Sequence, residues 1–275
     1  MGLNAFLRGM LKALYAPCIR VINYHDVPPS QCELFEKHLQ YYAEHFAPVT
    51  YADLQGLACG EWASSKPGLI ISFDDGLRSQ AEVASPLLEK YGFTGWFFVP
   101  MGFVETPTRS QAEFATAHQI QYVDEYADGR VAMSLDEVKG LARRHIVGCH
   151  TYSHYRFGAD STVAELDAEI TGAKSHMEAT IDCDVPVFCW VGGEEEVYSA
   201  AAAEVIRRSG FKHSFMTNNA LVRPTTDPLH LQRTNIEADY PLGLVRFQLS
   251  GFMDLLYTGK RRRVNQLTRV GVDRD

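Results

Sequence analysis

Two adjacent carboxylates, Asp74 and Asp75, follow an apolar run in the segment ISFDDGLRSQ. The run reads as a buried strand, in which neighbouring side chains point in opposite directions. Two acids at the end of such a strand are therefore expected to do different jobs, unless one of them merely belongs to a polar turn. Taken alone, the tripeptide DDG most often marks only a turn.

Two histidines form a second candidate group. His150 and His154 lie four residues apart, directly after the apolar run in HIVGCHTYSH. This spacing can place both imidazoles on one face of a helical turn, although HTYSH could also be an ordinary polar loop. Two imidazoles and one carboxylate are a common ligand set for a catalytic zinc ion. With Asp75 as that carboxylate, Asp74 would be free to take a proton from the attacking water.

These motifs belong to a chain in which short apolar runs alternate with helical patterns. The order is typical of an α/β domain with parallel strands and outer helices. The segment SLDEVKGLARR begins with a predicted capping box, Ser134 and Glu137. The polar stretch 104–131 is predicted to be a long loop or insertion at the carboxyl end of a strand. The strands are predicted in CIRVINYHDV, GLIISFDDG, GWFFVP, HIVGCH, VPVFCWVGG and FKHSFMT.

Composition limits the class of protein. The chain has 275 residues and a net charge of −8, which argues against a nucleic-acid-binding protein. Its six cysteines are scattered and form no CxxC pair, as expected in a reducing compartment. No run of eighteen apolar residues is present, so we predict no transmembrane span. Because the N-terminus lacks an unbroken apolar signal region, we expect a cytoplasmic protein, with peripheral membrane contact as a further option.

Both ends of the chain combine apolar and basic residues. Residues 3–16 have the spacing of an amphipathic helix, which would either pack on the domain or lie on a membrane surface. The C-terminal part, 243–275, carries Phe252, Leu255 and Leu256 beside the basic run 260–263. It is predicted to dock on the domain or to contact anionic lipid headgroups. We interpret residues 1–275 as one domain with a core at about 20–235.

Three motifs resemble the NodB-homology polysaccharide deacetylases, carbohydrate esterase family 4. SFDDG, residues 72–76, is similar to the family's T-F-D-D-G, and HTYSH, residues 150–154, is similar to H-[ST]-x-x-H. NYHDV, residues 23–27, resembles the first strand of the subgroup that acts on exopolysaccharides such as poly-N-acetylglucosamine. The resemblance covers roughly residues 20–235.

The resemblance implies a fold and a reaction. The fold would be a distorted, incomplete (β/α) barrel of about seven parallel strands. Asp75, His150 and His154 would bind a divalent ion, most often zinc, and Asp74 would be the general base. The reaction would hydrolyse the N-acetyl group of an amino sugar in a surface polysaccharide or its lipid-linked precursor. The backbone N–H of Gly102 or Phe103 is a candidate for holding the oxyanion.

The family's third motif, R-x-P-[YW]-G, is altered. The matching segment FCWVGG has Val191 and Gly192 at the proline and aromatic positions. Phe188 or Cys189 falls near the arginine position, so the arginine that steadies the base is expected to be missing. The predicted substrate-binding residues are Trp190 (as a groove wall, with a core position as the alternative), Arg233 and Tyr152.

The general acid is also not marked by a clear motif. His25 ends the first predicted strand and is the candidate acid, while His230 is expected to be structural. Two other functions are compatible with these departures. One is hydrolysis of another amide or a formamide on a small substrate, and the other is glycan binding without catalysis. The predicted partner is a carbohydrate, and no nucleic acid is expected.

Overall fold

The apolar runs of the sequence form one sheet. A computed structural model describes residues 17–270, so the helix predicted at 3–16 lies outside the described residues. Within that range, no helix is both long and apolar enough to cross a membrane. The strands, numbered β1 to β10 in chain order, are Ile19–Tyr24, Ala47–Pro48, Gly68–Phe73, Gly95–Val99, Ile146–Cys149, Val187–Cys189, His213–Met216, Leu221–Val222, Leu231–Gln232 and Thr234–Asn235.

The sheet closes almost completely on itself. Its order is β10-β1-β3-β4-β5-β6-β7-β9, with β2 beside β3 and the antiparallel β8 beside β1. The two end strands, β9 and β10, belong to one extended segment interrupted by Arg233 alone. Leu231 pairs with Phe215 of β7, and Thr234 pairs with Ile22 of β1. Six strands thus lie between the two end strands, and the segment of β9 and β10 acts as a seventh. This confirms the predicted α/β barrel of about seven parallel strands.

Helices surround the sheet. Short π-helical turns, Gln80–Ala84 and Asp167–Gly172, lead into the helices Ser85–Lys90 and Ala173–Ile181. The predicted capping box of Ser134 and Glu137 is present at the start of helix Leu135–Ala142. The helices of the described chain, α1 to α12, are Cys32–His45, Tyr51–Ala58, Ser85–Lys90, Met101–Val104, Thr108–Ala117, Leu135–Ala142, Val163–Leu166, Ala173–Ile181, Ala200–Arg208, Leu242–Leu249, Phe252–Leu256 and Thr258–Leu267.

Alternate strand residues build two separate cores. One cluster contains inward-facing strand residues, among them Val21, Ile70, Phe98 and Phe215, and fills the barrel. The other contains outward-facing residues such as Phe97, which pack against the helices. Because both faces are buried, the strands appear in the sequence as nearly continuous apolar runs. At the carboxyl ends of the strands, the inward positions carry polar residues such as Asn23 and Asp74. These polar side chains are available to form a site at that end of the barrel.

The segment 104–131 is more ordered than a loop. It contains α5, and two of its residues, Ala115 and Ile120, pack with the preceding Phe103 in a small third core. The C-terminal residues also pack on the barrel. The Arg20 guanidinium binds both carboxylate oxygens of Asp254 in α11, at 2.7 and 2.8 Å, and Val264 of α12 is fully buried. The C-terminal helices are therefore fixed to β1.

Candidate active site

The carboxyl ends of the strands open into a cavity of about 690 Å³. It brings together residues that are far apart in the chain. Its lining includes Asn23, His25, Asp74, Asp75, Gln119, Gln121, Tyr122, His150, His154, Arg156, Gly192, Gly193, Glu194, Asn235, Glu237, Asp239, Tyr257 and Lys260.

Three predicted metal ligands converge in this cavity. Asp75 Oδ1 lies 3.1 Å from His154 Nε2 and 3.5 Å from His150 Nε2, and all three side chains are buried. Neighbouring ligand atoms of a tetrahedral zinc ion with bonds of about 2.0–2.1 Å lie roughly 3.3 Å apart. The three atoms therefore have the spacing of a ligand set.

Hydrogen bonds fix the orientation of both imidazoles. Nδ1 of His150 lies 3.0 Å from the carbonyl oxygen of Cys189, and Nδ1 of His154 lies 2.7 Å from that of His118. A carbonyl oxygen can only accept, so each Nδ1 carries the proton that it donates. This arrangement directs each Nε2 towards Asp75, and it is the usual outer support of a metal-binding histidine. The donor chemistry thus fits a divalent cation.

The buried Asp75 carboxylate and the His154 imidazole shift each other's pKa. Burial by itself would lower the pKa of His154, but the Asp75 carboxylate outweighs burial and raises it. Burial would likewise raise the pKa of Asp75, but His154 and His150 hold that pKa well below its ordinary value. Binding of a cation would therefore compete with the proton on His154, as metal sites commonly do.

The backbone is unusual at the same residues. Asp75 and His154 have φ angles of 77° and 58°, in the left-handed region that non-glycine residues rarely adopt. Residues 150–154 form a turn, with Thr151 also left-handed at 61°, so the histidines converge through a turn and not through the predicted helical face. Such strain, about 1–3 kcal/mol per residue, is typical of functional sites.

A second group of potential ligands is less suitable. Donor atoms of Asp74, His150 and Cys189 also lie within 4.8 Å of one another. Burial, however, raises the pKa of the Cys189 thiol well above its ordinary value, which disfavours the thiolate that a metal would bind. Both oxygens of Asp74 are already engaged by another residue. The set formed by Asp75, His150 and His154 is therefore the better candidate.

That other residue is Arg233, between β9 and β10. Its Nη1 and Nη2 donate to Oδ1 and Oδ2 of Asp74, each at 2.7 Å, and Asn23 Nδ2 donates to Oδ2 at 3.0 Å. Burial favours a higher pKa for Asp74, but Arg233 keeps the pKa below its ordinary value. The arginine of the third motif is missing, as expected, but Arg233 from a different segment steadies Asp74 instead. Arg233 is 1% exposed and does not line the cavity, so its position does not fit the predicted substrate-binding role.

His25 is paired with an acid that the sequence analysis missed. Its Nδ1 lies 3.2 Å from Oε1 of Glu237, which follows β10. Burial acts to lower the pKa of His25, but Glu237, Asp75 and Asp74 raise it to about 9. These carboxylates therefore favour the protonated form of His25 at neutral pH. The predicted core ended near 235, and no motif pointed to Glu237.

Trp190 and Tyr152 do not line the cavity. Trp190 is 1% exposed, its ring meets that of Phe157 edge-on at 5.6 Å, and its Nε1 donates to Ser214 Oγ. Trp190 thus belongs to the helix-facing core, which was the alternative to a groove wall. Tyr152 is 37% exposed, and its hydroxyl donates to Glu105. Neither is positioned to bind a substrate in this cavity.

Both candidates for the oxyanion donor are already occupied. The N–H of Gly102 donates to the carbonyl oxygen of Tyr152 at 2.8 Å, and the N–H of Phe103 donates to that of Pro100 at 3.0 Å. These two N–H groups are therefore not directed at a ligand in the cavity. Neither Gly102 nor Phe103 fits the predicted role of oxyanion donor.

The altered third motif forms part of the cavity wall. Gly192 has a φ of 81°, and a Cβ there would lie 2.8 Å from the guanidinium of Arg156. Arg156 in turn pairs with Glu194. On the other side, Lys260 of α12 donates to the carbonyl oxygen of Gly193. An ion pair and a C-terminal lysine thus occupy the region where the motif usually has an aromatic residue.

We predict that His154→Ala weakens zinc binding at least about hundredfold, because loss of an outer partner alone commonly costs 10–100-fold. Competition with a chromogenic chelator would measure the affinity. His45→Ala, at an exposed histidine of α1, is the control and should leave it unchanged. Equal affinities of His154→Ala and the unmodified protein would exclude His154 as a ligand.

A second prediction concerns Arg233→Met, which leaves the Asp74 carboxylate buried without its partner. We expect the free energy of unfolding to fall by about 3–5 kcal/mol, as for other broken buried ion pairs. Arg207→Met, which breaks an exposed pair with Glu204, should cost less than about 1 kcal/mol. Urea denaturation of both variants would test this, and equal losses would argue against the role given to Arg233.

Solved structures share this architecture. PplD, a deacetylase of Streptococcus pyogenes solved in complex with acetate, superposes with a TM-score of 0.65 at 18% identity, over 84% of this chain and 98% of its own. IcaB from Ammonifex degensii gives a TM-score of 0.65 at 18% identity, over 85% and 97%. The BpsB deacetylase domain of Bordetella bronchiseptica gives 0.63 at 13%, over 80% and 96%. At these identities the likeness shows a common fold.

The sequence itself places the chain in a family. No curated protein matches it. A family model described as polysaccharide deacetylase matches residues 63–214, which is more than half of the chain and includes both the SFDDG and HTYSH motifs. The chain therefore belongs to the polysaccharide deacetylase family.

Proposed function

We propose that the protein is a metal-dependent deacetylase that hydrolyses the N-acetyl group of an amino sugar in a surface polysaccharide or its lipid-linked precursor. The observation that carries the proposal is the convergence of Asp75, His150 and His154 next to the Asp74–Arg233 pair, at the mouth of a barrel of this family. The acetate complex of PplD is consistent with this reaction. Two imidazoles and a carboxylate favour zinc.

Asp75, His150 and His154 would hold the cation. When bound, a divalent ion supplies a Lewis acid for the acetamide carbonyl and lowers the pKa of water. The residues of the chain contribute orientation. The carbonyl oxygens of Cys189 and His118 fix the two imidazoles, and the buried surroundings strengthen their electrostatic interaction with a charged ligand.

Asp74 would act as the general base. Arg233 holds both carboxylate oxygens and keeps the pKa low, so Asp74 stays ionised at neutral pH and can accept a proton. The two-point contact also prevents the carboxylate from rotating. A water molecule at the cavity floor would therefore meet a proton acceptor of fixed orientation.

His25 would act as the general acid. Glu237 holds its Nδ1, which leaves Nε2–H available to the cavity, and its raised pKa keeps the ring protonated. Donation of that proton to the leaving nitrogen would release the free amine of the sugar. Hydroxyl groups of the substrate would meet amide side chains, with Tyr122 and Tyr257 as the aromatic surfaces. These lining amides are Gln119, Gln121 and Asn235.

A second candidate is hydrolysis of another amide or a formamide. The specific reason is the altered wall, where Gly192 and the Arg156–Glu194 pair replace the motif's aromatic residue. A binding protein without catalysis is less well supported, since the convergence of Asp75, His150 and His154 and the Asp74–Arg233 pair would have no purpose in binding alone. The cytoplasmic location stays a prediction from the sequence.

We predict that Asp74→Asn retains zinc but lowers the rate of acetate release from N-acetylated glycans at least about hundredfold, as for loss of a general base. Metal analysis and an acetate assay over a panel of such glycans would measure both. Asp239→Asn, at an exposed acid of the same cavity, is the control. Undiminished activity of Asp74→Asn would refute the base. Zinc-loaded protein that releases no acetate but cleaves formamides would favour the second candidate.

The pH dependence tests His25. Since Glu237 raises the pKa of His25, Glu237→Gln should lower it, and the acid should be lost at a lower pH. The alkaline limb of the kcat/KM profile is therefore expected to move to lower pH while the acid limb stays in place. An unchanged alkaline limb would show that His25 is not the acid that the profile reports.

A further inference from the structure

Helices α10 and α11 carry a concentrated group of exposed apolar side chains. We call Phe247, Phe252, Leu255 and Leu256 the apolar patch; they are 46%, 49%, 74% and 61% exposed. The rings of Phe247 and Phe252 lie 5.6 Å apart, so the patch is continuous across the two helices. Val163, which is 62% exposed, lies on a different helix, α7. Grouped exposure of this kind indicates an interaction surface.

The patch is held firmly in place. Asp254, within α11, accepts two hydrogen bonds from the buried guanidinium of Arg20 in β1. Tyr257 and Lys260, which follow α11, line the catalytic cavity. The patch is thus a fixed feature next to the mouth of the site, and whatever it contacts is brought close to that mouth.

The segment that carries the patch is rich in cationic residues. Residues 241–270 contain six arginines and lysines and one acid, Asp254, although the whole chain has a net charge of −8. Arg246 of α10 and Arg262 of α12 are exposed, and neither pairs with a carboxylate of the described residues. An apolar surface beside unneutralised cations is complementary to a bilayer with anionic headgroups. A second copy of the chain would instead place the same cations against each other.

We infer that the apolar patch, with Arg246 and Arg262 beside it, docks the protein on the surface of a bilayer that contains anionic lipids. The leucines and phenylalanines would enter the headgroup region, and the arginines would contact lipid phosphates. Docking would place the cavity mouth next to the membrane surface. The inference goes beyond the proposed reaction, and its test measures binding, so that failure of either can be recognised separately.

The test is flotation of the full chain with vesicles of phosphatidylcholine, with and without phosphatidylglycerol. We expect binding to the anionic vesicles that weakens as salt is added. The double variant Leu255→Asp, Leu256→Asp should lower the partition coefficient at least about tenfold. The reason is that the transfer of two apolar side chains from water into the headgroup region is lost. Val163→Asp, at another exposed apolar residue, is the matched control and should bind as the unmodified protein does.

Three results would overturn the inference. The first is no flotation of the unmodified protein. The second is equal flotation of the double variant, which would assign binding to another part of the chain, such as residues 1–16. The third is a dimer that the double variant disrupts, without vesicle binding, which would assign the patch to a second copy. Melting temperatures of all variants, expected to agree because the residues are exposed, would verify that each is folded.

Discussion

The ion pair between Asp74 and Arg233 is the interaction on which the site depends. Arg233 is the one residue between β9 and β10, the two strands that join the edges of the sheet. A buried guanidinium requires a carboxylate partner, and a buried carboxylate requires the guanidinium. Arg233 also donates to Oδ1 of Asn23 at 2.8 Å, so it ties β1 and β3 to the closing segment. Closure of the barrel and orientation of the Asp74 carboxylate are therefore achieved by the same contacts.

The two adjacent acids of the SFDDG motif are separated by this arrangement. Asp74 continues the inward alternation of β3 and meets Arg233 below the cavity. Asp75, in the left-handed region, turns towards His150 and His154. One carboxylate thus faces the two histidines, and the other is held ionised beside it by Arg233. A strand that continued without the left-handed residue would direct Asp75 away from the histidines.

Local features of this chain were predictable from its sequence. The capping box at Ser134, the parallel strand order and the motifs at strand ends all depend on short segments and on general rules of α/β folds. Strand parity is also a local signal for Trp190, since Phe188 of β6 and Trp190 just after it face outwards while Cys189 faces the interior. The core position of Trp190 therefore follows from the sequence pattern.

Other features depend on contacts that no local pattern encodes. Arg233 and Asp74 are 159 residues apart, and their pairing follows only from the way in which the sheet closes. Glu237 reaches His25 because β10 runs beside β1, and Lys260 reaches Gly193 because α12 docks near the cavity. The composition of the polar stretch 104–131 likewise predicts a loop, although α5 packs within it through Ala115.

The most direct test of this account is the position of a bound cation. Crystals of the protein soaked with zinc would be measured on both sides of the zinc absorption edge, and an anomalous difference map would locate the ion. We expect one dominant peak within about 2.0–2.2 Å of Asp75, His150 and His154, with Asp74 still paired to Arg233. A dominant peak at Asp74 and Cys189, or no peak near these residues, would contradict it.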